Sequence, residues 1–167
     1  MSVVGIWHVG FSVRDIEASI RFWGDGMGLR LRHRQIQENE YTSQLVGYPD
    51  VRLSMAQFEL PDGSDSRSGH ILELIEYQRP RGESIPPENA RITSAHLALQ
   101  VEDLDALRVR LVSHGARFLS PTQEITAGIN TGGRAVYGRD PDDITFELVQ
   151  PPARPGVPST RSPGEAG

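Results

Sequence analysis

Two stretches decide the fold of this chain: HVGFSVRD at residues 8–15 and HLALQVED at residues 96–103. Each begins with a histidine, continues as an alternating strand pattern and reaches an aspartate at the same distance from the histidine. Self-similarity of this kind is the usual sign that one structural unit occurs twice in a chain. The sequence therefore predicts two copies of one module.

A helical pattern follows each aspartate. Apolar residues at helical spacing form one stripe in each copy, made of Ile16, Ile20, Trp23 and Met27 in the first and Leu104, Leu107 and Leu111 in the second. Asp15 and Asp103 are the predicted N-caps, because a carboxylate there accepts hydrogen bonds from free backbone N–H groups. Gly28 and Gly115 are the predicted helix ends.

Each helix is followed by room for three more strands, and the last strand of each copy has a central glutamate. These last strands are HILELIEY (70–77) and ITFELVQ (144–150). We therefore predict an α+β fold of two βαβββ modules, at residues 4–78 and 93–150. Residues 79–92 are rich in proline and charge and are predicted to be a linker. The Pro/Gly-rich tail at 151–167 is predicted to be disordered.

Strand parity gives each module one histidine and one glutamate on the face away from its helix. A lone histidine or glutamate on a strand is usually structural or solvated, but here both recur at matched places in both copies. Buried carboxylates are costly unless they are paired or bind a cation. Two imidazoles and two carboxylates that converge in a common hollow suit a divalent metal. The predicted ligands are His8, Glu73, His96 and Glu147, whereas His33, His70 and His114 have no counterpart in the repeat and are interpreted as surface or local structural residues.

The composition narrows the classes of partner. The chain has 167 residues, no cysteine and a formal net charge of -5. An acidic chain argues against nucleic acid as the main partner, and the lack of cysteine excludes disulfides and thiolate metal sites. The N-terminal sequence has no basic region, and no apolar run reaches the length of a membrane span. We expect a cytoplasmic protein with no membrane partner.

Over residues 4–150 the sequence resembles the vicinal-oxygen-chelate superfamily. That superfamily includes glyoxalase I, methylmalonyl-CoA epimerase, extradiol dioxygenases, fosfomycin-resistance enzymes and bleomycin-binding proteins. The segments that carry the resemblance are HVGFSVRDIEASIRFWGDGMGLRL, HILELIEY, SAHLALQVEDLDALRVRLVSHGARF and GRDPDDITFELVQP. Family members usually have glycine where this chain has Asp143. The resemblance implies a cupped, mixed β-sheet of paired modules with a metal on its concave floor.

The resemblance also implies an enzyme, because the superfamily's binding proteins have lost the metal ligands that this chain keeps. Two histidines and two glutamates leave about two positions on a divalent ion for a substrate with vicinal oxygens. By ligand type the metal is Ni, Co, Zn, Mn or Fe. The implied reaction is that of a glyoxalase-like lyase or isomerase, with proton transfer alpha to a carbonyl through a metal-bound enediolate. Glu147 is the expected base, and Glu73 the group that returns the proton.

Two other functions stay open. A non-haem iron dioxygenase of extradiol type would need three free metal positions, and a fourth ligand at Glu73 disfavours it. A drug-binding resistance protein is the other alternative. The segment QENEYTSQLVGYPD offers Glu40 as an extra base, with Tyr41 and Gln44 as substrate contacts, or it is a solvated loop.

The sequence does not choose between glutathione and coenzyme A as part of the substrate. Four strand arginines supply a basic entrance for coenzyme A or are simply solvated: Arg30, Arg32, Arg34 and Arg52. The linker and the family's habit of pairing modules suggest a homodimer. Whether the modules pair within one chain or between two chains is left open.

Overall fold

The computed structural model describes residue 3, residues 5–61 and residues 71–152. The first module contains β1 (His8–Val13), α1 (Ile16–Ile20), a π-helical segment (Arg21–Gly26), β2 (Arg30–Gln37), α2 (Glu40–Val46), β3 (Arg52–Glu59) and β4 (Ile71–Arg79). The second contains β5 (Leu97–Gln100), α3 (Leu104–Ser113), β6 (Arg117–Phe118), β7 (Gln123–Glu124), β8 (Arg134–Arg139) and β9 (Thr145–Gln150). His70 and residues 153–167 of the predicted tail lie outside the described residues.

Each module forms its own mixed sheet. The first sheet has the strand order β1-β4-β3-β2, with β1 parallel to β4. The second has the order β5-β9-β8-β6, with β5 parallel to β9 and β7 paired to β8. The first strand of each module therefore lies at a sheet edge beside the last strand. The predicted α+β class with paired βαβββ modules is confirmed, with α2 and β7 as additions.

The predicted helix boundaries are also confirmed. The carboxylate of Asp15 accepts hydrogen bonds from the backbone N–H groups of the first turn of α1 at 2.9 and 3.1 Å. Asp103 does the same for α3 at 3.0 Å. Gly28 and Gly115 have φ values of +86° and +93°, a region that residues with a Cβ rarely adopt. Among the described residues, no helix is long and apolar enough to span a membrane.

The two modules share one apolar core. Phe22 and Trp23 in the π-helical segment lie against Phe146 in β9, with ring centroids 6.0 and 6.4 Å apart. All three side chains are buried. Trp23 also donates a hydrogen bond from Nε1 to the buried carboxylate of Asp140, at 3.1 Å. The core is therefore built from the helix-covered faces of both sheets.

This packing fixes where the opposite faces point. Phe146 and Leu148 lie in the shared core, so Glu147 between them points to the other side of the second sheet. Leu72 and Leu74 lie in the same core, so Glu73 points to the other side of the first sheet. The space between the modules of one chain is therefore apolar, and the glutamate-bearing faces look away from it.

Candidate metal centre

The first module brings His8 and Glu73 together. His8 begins β1, and Glu73 lies in the neighbouring strand β4. The distance from His8 Nε2 to Glu73 Oε1 is 3.5 Å. Gln57 lies directly across from Glu73 on β3 and donates from Nε2 to Glu73 Oε2 at 2.7 Å. Glu73 is buried, whereas His8 is exposed at the sheet edge.

The second module repeats this arrangement with His96 and Glu147. His96 comes immediately before β5, and its Nε2 lies 3.5 Å from Glu147 Oε2. Tyr137 lies directly across from Glu147 on β8, with its hydroxyl 3.3 Å from His96 Nε2. Burial raises the pKa of Tyr137, and the charge of Glu147 and its hydrogen bond with the tyrosine raise it further.

Each half-site therefore has three members: a histidine in or immediately before the first strand, a glutamate from the last, and a polar residue from the strand beside the last. The third members, Gln57 and Tyr137, are absent from the sequence-based prediction. Both stand directly across from the glutamates in the antiparallel register. The sequence alone does not show which residues lie opposite the two glutamates.

The four predicted ligands form two separate pairs within one chain. Among residue 3 and residues 5–61 and 71–152, no three acidic or histidine side chains gather as a metal-binding group. The reason is the shared core, which turns the two glutamate-bearing faces away from each other. One chain therefore contributes two half-sites, and convergence of all four ligands stays a prediction.

Each pair has the donor set and spacing that a divalent metal requires. Two donors about 2.1 Å from one ion are about 3.0 Å apart at the octahedral angle that leaves two positions free, and about 3.4 Å apart at a tetrahedral angle. The nitrogen-to-oxygen distance is 3.5 Å in both pairs. Two such pairs would supply two imidazoles and two carboxylates, which balance the ion's charge. The chemistry and geometry of the residues fit the metal that the resemblance implies.

The segment that was predicted to hold an extra base folds as the helix α2. Asn39 caps it, accepting from the backbone N–H of Thr42 at 2.9 Å. Glu40 is exposed in the first turn and accepts a hydrogen bond from Gln44 at 2.8 Å. Tyr41 is exposed. No described contact joins these side chains to Glu73, so their role in catalysis stays a prediction.

The strand arginines are engaged in ion pairs with carboxylates. Arg30 and Arg32 pair with Glu59, while Arg34 pairs with Glu17 and Arg52 with Glu38. Pairing of this kind lowers the positive charge that an entrance for coenzyme A would present. The remaining predicted local histidines make local contacts: His33 with Gln35 and His114 with the carbonyl of Arg110.

Comparison with known proteins identifies the family. The model of the Glyoxalase/Bleomycin resistance protein/Dioxygenase superfamily matches residues 7–137. The chain belongs to this superfamily. Membership confirms the resemblance seen in the sequence.

Individual superfamily members are similar over most of the chain. A 2-epi-5-epi-valiolone epimerase from Actinomyces sp. is 29% identical over 90% of this chain and 81% of its own length. A probable lactoylglutathione lyase from Vibrio parahaemolyticus is 26% identical over 90% of this chain and 93% of its own. The crystal structure of a glyoxalase family protein from Bacillus cereus has a TM-score of 0.78 at 21% identity, covering 92% of this chain and 97% of that one. The last match shows the fold.

Proposed function

We propose that this protein is a metal-dependent isomerase or lyase of the glyoxalase and epimerase type, acting by proton transfer at a carbon alpha to a carbonyl. The observation that carries the proposal is the repetition of one His–Glu pair, with the same 3.5 Å spacing, in both modules. The relatives named as an epimerase and a lactoylglutathione lyase support this reaction class. Both names describe reactions on small molecules.

The proposal includes a homodimer in which the first half-site of one protomer meets the second half-site of its partner. Two observations support it. Strands β1 and β5 each pair with only one other strand among the described residues, so each leaves an edge open to a second chain. Ile6 and Trp7, beside His8, are 64% and 79% exposed, although the strand pattern places Trp7 on an apolar face. If β1 paired with β5 of the partner, both strand edges would be covered. His8 would then lie close to the partner's second half-site.

The assembled residues divide the work of proton transfer. A divalent ion bound by His8, Glu73, His96 and Glu147 would polarise the carbonyl oxygen of the substrate and acidify the neighbouring carbon. Glu147 would accept the proton from that carbon through a carboxylate oxygen, Glu73 in its protonated form would deliver a proton to the carbon, and exchange with solvent would restore both groups. Gln57 holds Oε2 of Glu73, which leaves Oε1 facing His8.

Subunit complementation tests the assignment of ligands and the dimer together. The variants His8→Ala and His96→Ala are each expected to lose bound metal, measured by elemental analysis after dialysis against manganese, zinc or nickel. In a heterodimer of the two variants, one site lacks both histidines and the other keeps both. The expected result is therefore one metal ion per heterodimer and none in either variant homodimer.

The matched control is His33→Ala, which removes an exposed histidine from β2 and should leave the metal content unchanged. Metal content in His8→Ala equal to that of the wild type would show that the ligands are wrong. Heterodimers without metal would show that the half-sites do not meet between chains. Proton transfer itself is tested by uptake of solvent deuterium at the alpha carbon of methylmalonyl-CoA and of the hemithioacetal of methylglyoxal. Glu147→Gln should abolish that uptake.

A further inference from the structure

Arg139, at the end of β8, is a buried cation with neutral partners. Its side chain donates to Asn89 Oδ1 at 2.6 Å, to Thr145 Oγ1 at 3.2 Å and to the backbone carbonyl of Asp143 at 3.5 Å. Among the described residues, no carboxylate forms an ion pair with it. Burying a charge without an opposite charge costs free energy. The position is therefore suited to an anion that comes from outside the chain.

A small pocket lies beside Asn89 and Thr145, the two side chains to which Arg139 donates. It has a volume of about 200 Å³, and it is lined by Asn89 of the linker, by the three residues before β5 (Ser94, Ala95 and His96), and by Tyr137 and Thr145 of the second sheet. His96 is the ligand of the second half-site. The pocket therefore adjoins both the neutral partners of a buried positive charge and the proposed metal centre.

The hydrogen bonds of Arg139 determine what the pocket presents to a ligand. A guanidinium only donates, so the oxygen of the Asn89 amide must face Arg139 and its NH₂ group must face away. For the same reason, the Thr145 oxygen accepts from Arg139, which leaves the hydroxyl proton free for another acceptor. Ser94 differs, because its hydroxyl donates to the carbonyl of Glu88 at 2.7 Å. The wall nearest the guanidinium is thus lined by donors.

We propose that this pocket binds an anionic oxygen group of the substrate, either a carboxylate or a phosphate. Asn89 Nδ2 and the Thr145 hydroxyl donate to its oxygens, and Arg139 balances its charge from behind. Pockets for whole drug-sized ligands are roughly 300–1,000 Å³, so this one holds a small group and not an entire substrate. The reacting part of the substrate then lies toward His96. Only this last step rests on the proposed function, because the anion site stands on Arg139 and its partners.

The test uses metal-free protein, prepared with EDTA that is then removed by dialysis, so that metal chemistry does not contribute and the carboxylates of EDTA do not compete for the pocket. Malonate and inorganic phosphate are the anionic probes, malonamide is the neutral comparator, and binding is measured by calorimetry and by the shift in Tm. Asn89→Asp gives Arg139 a carboxylate of its own and places negative charge at the pocket. We expect it to weaken anion binding at least about tenfold and to raise Tm without the probe. Thr145→Val, which removes one donor, should weaken binding by a smaller factor.

Asn130→Asp is the matched control, because it makes the same charge change in an exposed loop at the opposite end of β8. The proposal is supported if Asn89→Asp weakens the binding of either anion and Asn130→Asp leaves it unchanged. The anion that binds the wild type more tightly identifies the group. The proposal is overturned if neither anion binds the wild type, if malonamide binds as tightly as malonate, or if the two variants behave alike. Since metal is absent, these outcomes are independent of whether the metal centre is assigned correctly.

Discussion

Asp140 allows a quantitative test of how the two modules are joined. Its side chain is 1% exposed, and Oδ2 accepts from Trp23 Nε1 of the other module at 3.1 Å. Oδ1 accepts from the backbone N–H groups of Asp142 and Ile144, both at 2.8 Å. Burial raises the pKa of Asp140 to about 6, with a smaller rise from the charge of Asp142, and the hydrogen bonds from the three donors oppose the rise.

The sign of the pH effect follows from these values. An unfolded aspartate has a pKa of about 3.9, so between that value and about 6 the folded protein holds a proton that the unfolded chain has released. The free energy of unfolding therefore falls as the pH rises through this window and is level above it. A difference of about two units between the folded and unfolded pKa corresponds to about 3 kcal/mol of unfolding free energy in total. About 2 kcal/mol of this falls between pH 4 and pH 7, because the unfolded carboxyl is already partly ionised at pH 4.

The perturbation is Asp140→Asn, which keeps the shape and removes the titration. In the variant, the N–H of the new amide faces the N–H of Trp23, and the hydrogen bond between positions 23 and 140 is lost. This loss lowers the free energy of unfolding by an amount that does not depend on pH. Urea unfolding at several pH values and one protein concentration gives the difference between wild type and variant. That difference should change by about 2 kcal/mol in favour of the variant as the pH rises from 4 to 7.

The control for this experiment is Asp25→Asn, the same exchange at an exposed position of the π-helical segment. The difference in the free energy of unfolding between the wild type and this variant should change little with pH, because water reaches that carboxyl in both the folded and the unfolded state. If the curves of wild type and Asp140→Asn run parallel across the whole range, the buried carboxyl is not titrating in this window. The reasoning from burial would then be refuted.

Two further predictions concern the second sheet and the first half-site. Gly138→Ala should lower the free energy of unfolding by about 1–3 kcal/mol, because a Cβ there would lie 2.4 Å from Cζ of Phe146. In the control Gly82→Ala, the added Cβ meets no atom within 4 Å. Adding Phe146→Leu to Gly138→Ala should recover part of the lost stability. Equal stability of the two alanine variants would contradict this prediction. Gln57→Leu should weaken metal binding about 10- to 100-fold in a chelator competition, because Glu73 loses the donor that orients it. An unchanged affinity would show that the contact does not orient Glu73.

Local patterns in the sequence were enough to predict the repeated module and the ends of its helices. The aspartate caps, the apolar stripes and the ends of the helices at Gly28 and Gly115 depend only on neighbouring residues, and the structure confirms them. Strand parity predicted the face of each glutamate for the same reason. Two elements were not predicted from the sequence. One is helix α2, whose capping residue and terminal glycine lie in a polar segment, and the other is the short strand β7.

Contacts between distant segments could not be predicted in this way. The register of β3 against β4, and of β8 against β9, decided that Gln57 and Tyr137 join the half-sites. The position of Asn89 decided that Arg139 is buried with neutral partners. The packing of Phe146 on the first module decided that, in the part of the chain that the structure describes, the two His–Glu pairs lie apart on faces turned away from each other.

The sequence by itself determined two βαβββ modules, each with a histidine and a glutamate on the face away from its helix. Only the tertiary structure decided which faces of the modules meet, and it joined the apolar ones. The physical reason is that helix caps and strand alternation are set by residues close in the chain. The meeting of faces, by contrast, is set by the burial of apolar area between segments more than a hundred residues apart, as with Trp23 and Asp140.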